Sequence, residues 1–88
     1  MKSISLTQLT YIVAVAQTRN FVKAAKSCFI SQPTLSMQIQ KLEEELGVIL
    51  FDRSKKPVEL TLIGQKVVEQ SQKVLQEACR IEELIKEE

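Results

Sequence analysis

Apolar residues recur at helical spacing from residue 6 onward, and the first such segment is unusually apolar. Ser5 precedes it and Gln8 follows at capping-box spacing, which predicts a helix that begins just after Ser5. The apolar positions of this helix are Leu6, Leu9, Tyr11, Ile12, Val13, Val15 and Ala16. A stripe this wide covers more than one helix face. We therefore expect two neighbouring helices, or one neighbour and a partner chain.

A short second helix is predicted to begin after Asn20, a good N-cap residue. Its inner face would consist of Phe21, Ala24, Ala25 and Cys28. The paired alanines are small enough for another helix to cross closely at a steep angle. We expect Phe29-Ile30 to form a tight connection to the next helix and to carry an apolar plug.

The third predicted helix has clear start and stop signals. Ser31 is its N-cap, Pro33 falls in the first turn where a missing N–H costs nothing, and Gly47 stands at the C-terminal stop. The buried stripe is Leu35, Ile39, Leu42 and Leu46. The opposite face carries Pro33, Met37 and Gln40, flanked by Thr34, Ser36 and Lys41. That outer face is slim and largely uncharged.

After Gly47 the pattern changes to short extended segments. Val48–Phe51 is an apolar run and Val58–Leu60 alternates, with the turn Ser54–Pro57 between them. This arrangement predicts a β-hairpin with a basic tip. The acidic run Glu43–Glu45 opposes the dipole of the preceding helix, and we expect a tertiary partner for it, with Arg53 as the candidate.

A long last helix is predicted to begin after Thr61 and to continue to the end of the chain. Its heptad seam is Gly64, Val67, Ser71, Val74, Ala78, Ile81 and Ile85. Some 27 residues give about 40 Å of helix. A helix of that length on so small a body needs a partner to bury its seam. The chain ends without a helix stop signal, which is compatible with a fragment of a longer protein.

These elements predict a mainly α fold, a winged helix-turn-helix of three helices and a short β-hairpin wing, followed by a long dimerising linker helix. We expect a winged domain over residues 1–61 and a linker helix over residues 62–88. The net charge is +1, but its distribution is uneven. Residues 1–42 contain five bases and no acid, whereas residues 43–88 contain seven bases and eleven acids. Such asymmetry indicates a surface for a polyanion.

Composition excludes several other classes of protein. The chain has two cysteines, no CxxC pair and no histidine, so a zinc site is not expected. We interpret Cys28 and Cys79 as packing residues in a reducing compartment. No signal peptide is visible, and the longest apolar run, Tyr11–Ala16, is too short to cross a membrane. A soluble cytoplasmic protein without a cofactor is expected.

The segment from residue 21 to residue 46 has the arrangement of a helix-turn-helix, whose second helix enters the DNA major groove. The groove admits a helix with modest side chains, and the amides and hydroxyls of Gln, Ser and Thr can bond to base edges. Lys55 or Lys56 at the wing tip can contact the backbone or a narrow minor groove. A solvated turn is the alternative for these lysines considered alone.

The chain resembles the LysR-type transcriptional regulators over essentially its whole length. The matching segments are Phe21–Cys28, Ser31–Ser36, Gln38-Ile39, Lys41–Glu43, Glu45–Gly47, Leu50–Arg53, Leu60-Thr61 and Gly64. Within that family, Ser31–Leu50 is most similar to the peroxide-sensing members. The resemblance implies a DNA-binding regulator of the oxidative stress response that acts as an activator, although the sequence itself leaves activator and repressor open. In such members the sensing cysteines belong to a separate regulatory domain.

The resemblance also implies roles for individual residues. Base contacts would come from Gln32, Pro33, Thr34, Ser36, Met37, Gln40 and Lys56. Contacts to the DNA backbone would come from Asn20, Phe21, Ser31, Gln38, Arg53 and Thr61. The basic wing would contribute Lys55 to the same contacts. The dimer interface would use Val67, Ser71, Val74, Ala78, Ile81 and Ile85, with two linker helices packed antiparallel. The implied partners are double-stranded DNA and a second copy of the chain, a tetramer being open for a full-length protein. Met37 departs from the family, in which many members have Arg.

Two other functions compete with this one. An enzyme would need a histidine, a glycine-rich phosphate loop or a nucleophile beside a base, and the sequence has none of these. A winged-helix module that binds protein and dimerises is the second alternative. Such a module should expose aromatic or large apolar anchors on its third helix, where only Met37 fits.

Overall fold

The computed structural model describes residues 4–88. Within that range the chain forms four helices and one antiparallel pair of strands. The elements, in chain order, are α1 (Leu6–Thr18), α2 (Phe21–Ser27), α3 (Gln32–Leu46), β1 (Phe51–Asp52), β2 (Glu59–Leu60) and α4 (Leu62–Lys86). The mainly helical winged fold expected from the sequence is confirmed.

All four predicted N-caps are present. The hydroxyl of Ser5 accepts from the Gln8 amide at 3.1 Å, and the Gln8 side chain accepts from the Ser5 amide at 3.0 Å, which completes the capping box. The side chains of Asn20, Ser31 and Thr61 each accept a hydrogen bond from a backbone N–H of the first turn that follows. Since these N–H groups have no partner inside a helix, the caps set where each helix begins.

The core forms around α1, which contacts α2, α3 and α4. Most of its wide apolar stripe therefore packs within one chain, while Leu6 at its start is 50% exposed. The largest fully buried side chains are Ile12, Val15, Leu35, Ile39, Leu42 and Leu50. Ala24 and Ala25 are also buried, which lets α2 lie close to its neighbours.

The connection between α2 and α3 differs from the prediction. Phe29 is 94% exposed and is not an apolar plug; Ile30 alone is half-buried against the core. The backbone explains the difference, because Phe29 has a left-handed conformation with φ of 59°. The amide of Ile30 bonds to the Ala25 carbonyl at 3.1 Å, so the chain reverses tightly and the Phe29 side chain points to solvent.

The hairpin is shorter than the sequence predicted. Only Phe51–Asp52 and Glu59–Leu60 pair as strands, with Phe51 opposite Leu60, and residues 53–58 connect them. Val48–Leu50 lies outside the strand. The reason is that the Leu50 amide bonds to a glutamate side chain of α3 instead of a neighbouring strand.

Helix α4 begins at Leu62, directly after the predicted boundary at residue 61. Gly64, Val68 and Ser71 are buried, so its first turns complete the core with α1. A Cβ at Gly64 would collide with the Leu50 carbonyl oxygen, and glycine therefore allows α4 to approach the wing closely. The later turns extend away from the core and produce a molecule 48 Å long and 28 Å wide.

The two cysteines have different environments. Cys28 is half-buried and packs against the core, as expected. Cys79 is exposed on the outer part of α4, so the prediction that it is a packing residue is wrong for the isolated chain. The helix has already left the core at that position.

A buried carboxylate joins the end of α3 to the wing. Glu43 is 7% exposed, and its Oε2 accepts hydrogen bonds from the amides of Leu50 at 2.7 Å and Phe51 at 3.4 Å. Its Oε1 lies 3.9 Å from Arg53 Nη2, so the expected tertiary partner of the acidic run is confirmed. Glu44, the next residue of the run, is exposed.

Replacing the Glu43 carboxylate tests how much this connection between α3 and the wing contributes to stability. Glu43→Ala is expected to lower the free energy of unfolding by about 3 kcal/mol, because two buried amides lose their acceptor. The matched variant Glu44→Ala removes the same side chain from an exposed position and should change stability by less than about 0.5 kcal/mol. Urea unfolding followed by circular dichroism measures both. Equal losses in the two variants would show that this connection contributes nothing specific.

Candidate nucleic-acid interface

One side of α3 is open to solvent, and we call it the reading face. Leu35, Ile39 and Leu42 hold the opposite side in the core at 0% exposure. The reading face consists of the residues predicted to contact bases, Gln32, Pro33, Thr34, Ser36, Met37 and Gln40. All of them are exposed except Ser36, which is half-buried. The structure therefore brings the predicted base-contacting residues of α3 together on one accessible surface.

A groove of about 670 Å³ lies beside the start of α3, and we call it the basic groove. Its lining residues are Thr18, Arg19, Asn20, Phe21, Val22, Lys23, Gln32, Arg53, Lys56, Pro57 and Val58. They include four bases and no acid. Three predicted backbone-contacting residues, Asn20, Phe21 and Arg53, meet here with Lys56 of the wing. The other residues predicted to contact the DNA backbone do not line this groove; they are Ser31, Gln38, Lys55 and Thr61.

Sequence reasoning missed Arg19 and Lys23 as members of the basic groove. Arg19 ends α1 in a left-handed conformation, and its carbonyl accepts from the Val58 amide at 3.2 Å, which holds the wing beside it. Lys23 lies in the first turn of α2. The acid-free stretch up to residue 42 was the available signal, but it could not show which bases face the same groove.

The guanidinium of Arg53 connects three elements. It lies 4.4 Å from the centre of the Phe21 ring, and its Nη1 donates to Ser36 Oγ at 2.6 Å. The Phe21 ring also meets Phe51 edge to face, with 6.1 Å between their centres. Together with the Glu43 contact, these interactions fix α2, α3 and β1 relative to one another. Arg53 is thus engaged inside the fold as well as lining the basic groove.

The wing tip combines one acid with several bases. Asp52 Oδ1 accepts from the Ser54 hydroxyl at 2.5 Å and from the Ser54 amide at 3.0 Å. These hydrogen bonds, with a smaller contribution from the charge of Lys55, lower the pKa of Asp52. Asp52 is therefore ionised at neutral pH and orders the start of the turn. Lys55 and Lys56 are exposed beyond it.

Thr61 lies at a separate location. Its hydroxyl donates to the Ile49 carbonyl at 2.7 Å and accepts from the Gly64 amide at 3.0 Å. The side chain is half-buried and borders a second groove, near Gln40 and Glu44. In this structure its hydroxyl therefore holds the start of α4 against the segment before β1.

The predicted dimer seam divides into two parts. Ser71 is 3% exposed and already buried within its own chain, and Val67 is half-buried. Farther along, Ile81 is 61% exposed and Ile85 is 70% exposed. Other large apolar residues that sequence reasoning did not assign to an interface are exposed as well, and they include Ile4, Leu6, Leu62, Ile63 and Leu84.

A helix-turn-helix with an exposed recognition helix and a basic β-hairpin defines the winged helix class of proteins. Residues 6–65 match the family described as "Bacterial regulatory helix-turn-helix protein, lysR family", and the chain belongs to that family. Among the residues from 4 to 88, no helix is both long and apolar enough to cross a membrane.

Similar proteins include a "Hydrogen peroxide-inducible genes activator" of Pectobacterium carotovorum subsp. carotovorum. It is 48% identical over 80 residues, which cover 91% of this chain and 26% of that protein. The structure of full-length OxyR from Pseudomonas aeruginosa is 51% identical, with a TM-score of 0.91, over 96% of this chain and 28% of that one. The chain thus spans about a quarter of these relatives.

A third similar structure is a DNA-binding domain alone. The BenM domain in complex with benA site 1 DNA is 39% identical, with a TM-score of 0.92, and the match covers 96% of this chain and 94% of that one. The fold of this chain therefore matches that of a domain solved on DNA.

Proposed function

We propose that this chain binds double-stranded DNA at specific sequences, as the DNA-binding part of an OxyR-like regulator of the response to hydrogen peroxide. The observation that carries the proposal is the adjacency of the exposed reading face and the acid-free basic groove. The similarity to a BenM domain solved on DNA supports it. We further propose a cytoplasmic protein without enzymatic activity or a cofactor. Transcription activation and peroxide sensing would require the rest of a longer protein.

The mechanism assigns different tasks to the two surfaces. The reading face enters the major groove, where the amides of Gln32 and Gln40 contact base edges. Lys56 contacts the minor groove, where the phosphates concentrate negative potential. The remaining proposed contacts position the domain on the backbone through Asn20, Phe21, Ser31, Gln38, Arg53, Lys55 and Thr61. Free N–H groups at the start of α3 favour a phosphate nearby.

Two copies are proposed to bind as a dimer through α4. The interface would consist of the solvent-facing surfaces of four residues of α4, Val74, Ala78, Ile81 and Ile85, packed against α4 of the second copy. Val67 would lie at the edge of this interface, and Ser71, which is buried in its own chain, would lie under it. Apolar side chains this exposed lose water contact when a partner covers them. Two-fold symmetry then places two reading faces in successive major grooves of an inverted repeat.

Sequence-specific binding is the first expectation. A 30-base-pair duplex enriched from a random pool by this chain should bind about a thousandfold more tightly than a scrambled duplex at physiological salt. Fluorescence anisotropy with both duplexes measures the ratio. Equal affinities would leave only a generic polyanion binder and would refute the proposal.

Removing one positive charge from the wing tests whether the wing contacts DNA. Lys56→Ala should weaken binding and reduce the slope of log affinity against log salt by about one unit, because one positive charge that neutralises phosphates beside the minor groove is lost. Lys73→Ala is the matched control, since Lys73 is an exposed lysine of α4 away from the basic groove. Titrations at several salt concentrations compare the two. A slope unchanged in Lys56→Ala would remove this residue from the mechanism.

The dimer is tested on the exposed end of α4. Ile81→Asp should yield monomers, because a dimer would bury an unpaired charge in its seam. Gln76→Asp adds the same charge to another exposed position of α4 and should leave the dimer intact. Sedimentation velocity at matched concentrations distinguishes the two variants. A dimer that persists in Ile81→Asp would place the interface elsewhere.

A further inference from the structure

We propose that Met37 determines sequence specificity by packing against the C5-methyl group of a thymine in the major groove, and so selects thymine over cytosine. This inference rests on the proposed function and names the base that one residue of the reading face selects. It concerns a residue that cannot donate a hydrogen bond to a base, because a thioether has no N–H or O–H and its sulfur is only a weak acceptor.

The position of Met37 gives it access to a base. Pro33, Met37 and Gln40 follow one another at spacings of four and three, so they share one side of α3. Met37 is 58% exposed, in contrast to Leu35 and Ile39 at 0%. It therefore does not fill the core, which is the usual role of methionine. Its long flexible side chain extends from the middle of the reading face.

The hydroxyl groups beside Met37 are already engaged within the chain. Ser36 Oγ accepts a hydrogen bond from Arg53 at 2.6 Å, and Thr34 Oγ1 accepts one from Ser31 at 2.8 Å. By contrast, the side chains of Gln32 and Gln40 make no hydrogen bond within residues 4–88. The two hydroxyls each keep an O–H to donate, whereas the amides at the two ends of the reading face have all their donors and acceptors free, with apolar surface between them.

This chemistry matches A·T base pairs. Gln bonds to adenine through N6 and N7, while the opposite thymine presents its C5-methyl group in the same groove. A methyl group buried against the thioether should improve affinity about fourfold per contact. Cytosine presents an N4 amino donor instead, for which Met37 would supply only the weak acceptor of its sulfur. The discrimination against cytosine should therefore exceed that from the methyl group alone.

Base analogues isolate the methyl group. The probe is a 30-base-pair duplex enriched from a random pool by this chain, in which each thymine is replaced singly by deoxyuridine. Deoxyuridine lacks only the C5-methyl group. At one thymine of each half-site, we expect the wild-type chain to lose about fourfold in affinity and Met37→Ala to show no loss. Met37→Leu keeps apolar volume at this position and should retain most of the dependence.

A second comparison adds a methyl group to a base instead of removing one. At the same position, a C·G pair carrying 5-methylcytosine should bind the wild-type chain more tightly than one carrying cytosine, and Met37→Ala should not distinguish them. Thermal unfolding of each variant verifies that it is folded. Identical deoxyuridine profiles for the wild-type chain and Met37→Ala would overturn the inference and leave sequence-specific binding intact. Failure of the pool to yield any preferred duplex would refute the proposed function itself, and this inference with it.

Discussion

The relation between α3 and the wing depends on the buried carboxylate of Glu43. Helix α3 ends at Gly47, whose positive φ turns the chain sharply back towards the body. Val48–Leu50 is not paired in a sheet and Phe51 is the first residue of β1, and the buried amides of Leu50 and Phe51 take their acceptor from another element. Glu43 supplies it, from one turn before the end of α3. The start of the wing is thus bonded directly to the helix that carries the reading face.

Arg53 extends this connection outward. It approaches Glu43 on one side and bonds to Ser36 on the other, while its guanidinium lies over the ring of Phe21. The wing, the reading face and the start of α2 are therefore held by one residue at the edge of the basic groove. A surface that binds DNA through preformed contacts loses less conformational entropy on binding than one assembled from loose parts. We infer that this rigidity, more than any single charge, sets the geometry of the proposed contact.

Local signals in the sequence predicted the beginnings of the helices and the composition of the reading face. Caps act within one helical turn and apolar spacing within a few turns, so both can be read without knowing the fold. The left-handed conformation of Phe29, the short strands and the burial of Ser71 could not be predicted in this way. The strand lengths and the burial of Ser71 depend on how close two distant segments come, as when Gly64 lets α4 approach the carbonyl of Leu50. The conformation of Phe29 belongs to the tight turn that the Ile30 amide closes on the Ala25 carbonyl. The sequence suggested a partner for the acidic run, but only packing shows that Glu43 bonds mainly to backbone amides.

The charges and the reading face imply a separation between affinity and specificity. The four bases of the basic groove can interact with any phosphate backbone, and their contribution falls as salt rises. The reading face has no charged group among its six predicted base contacts, and two of its hydroxyl oxygens are occupied inside the chain. Its contribution must come from hydrogen bonds of amides and hydroxyl donors and from apolar contacts, which salt screens little. A rise in salt should therefore weaken binding to every duplex by a similar factor and leave the ratio between preferred and scrambled sequences nearly constant. This separation follows because the six predicted base contacts carry no charge, while the four bases lie in the basic groove beside them.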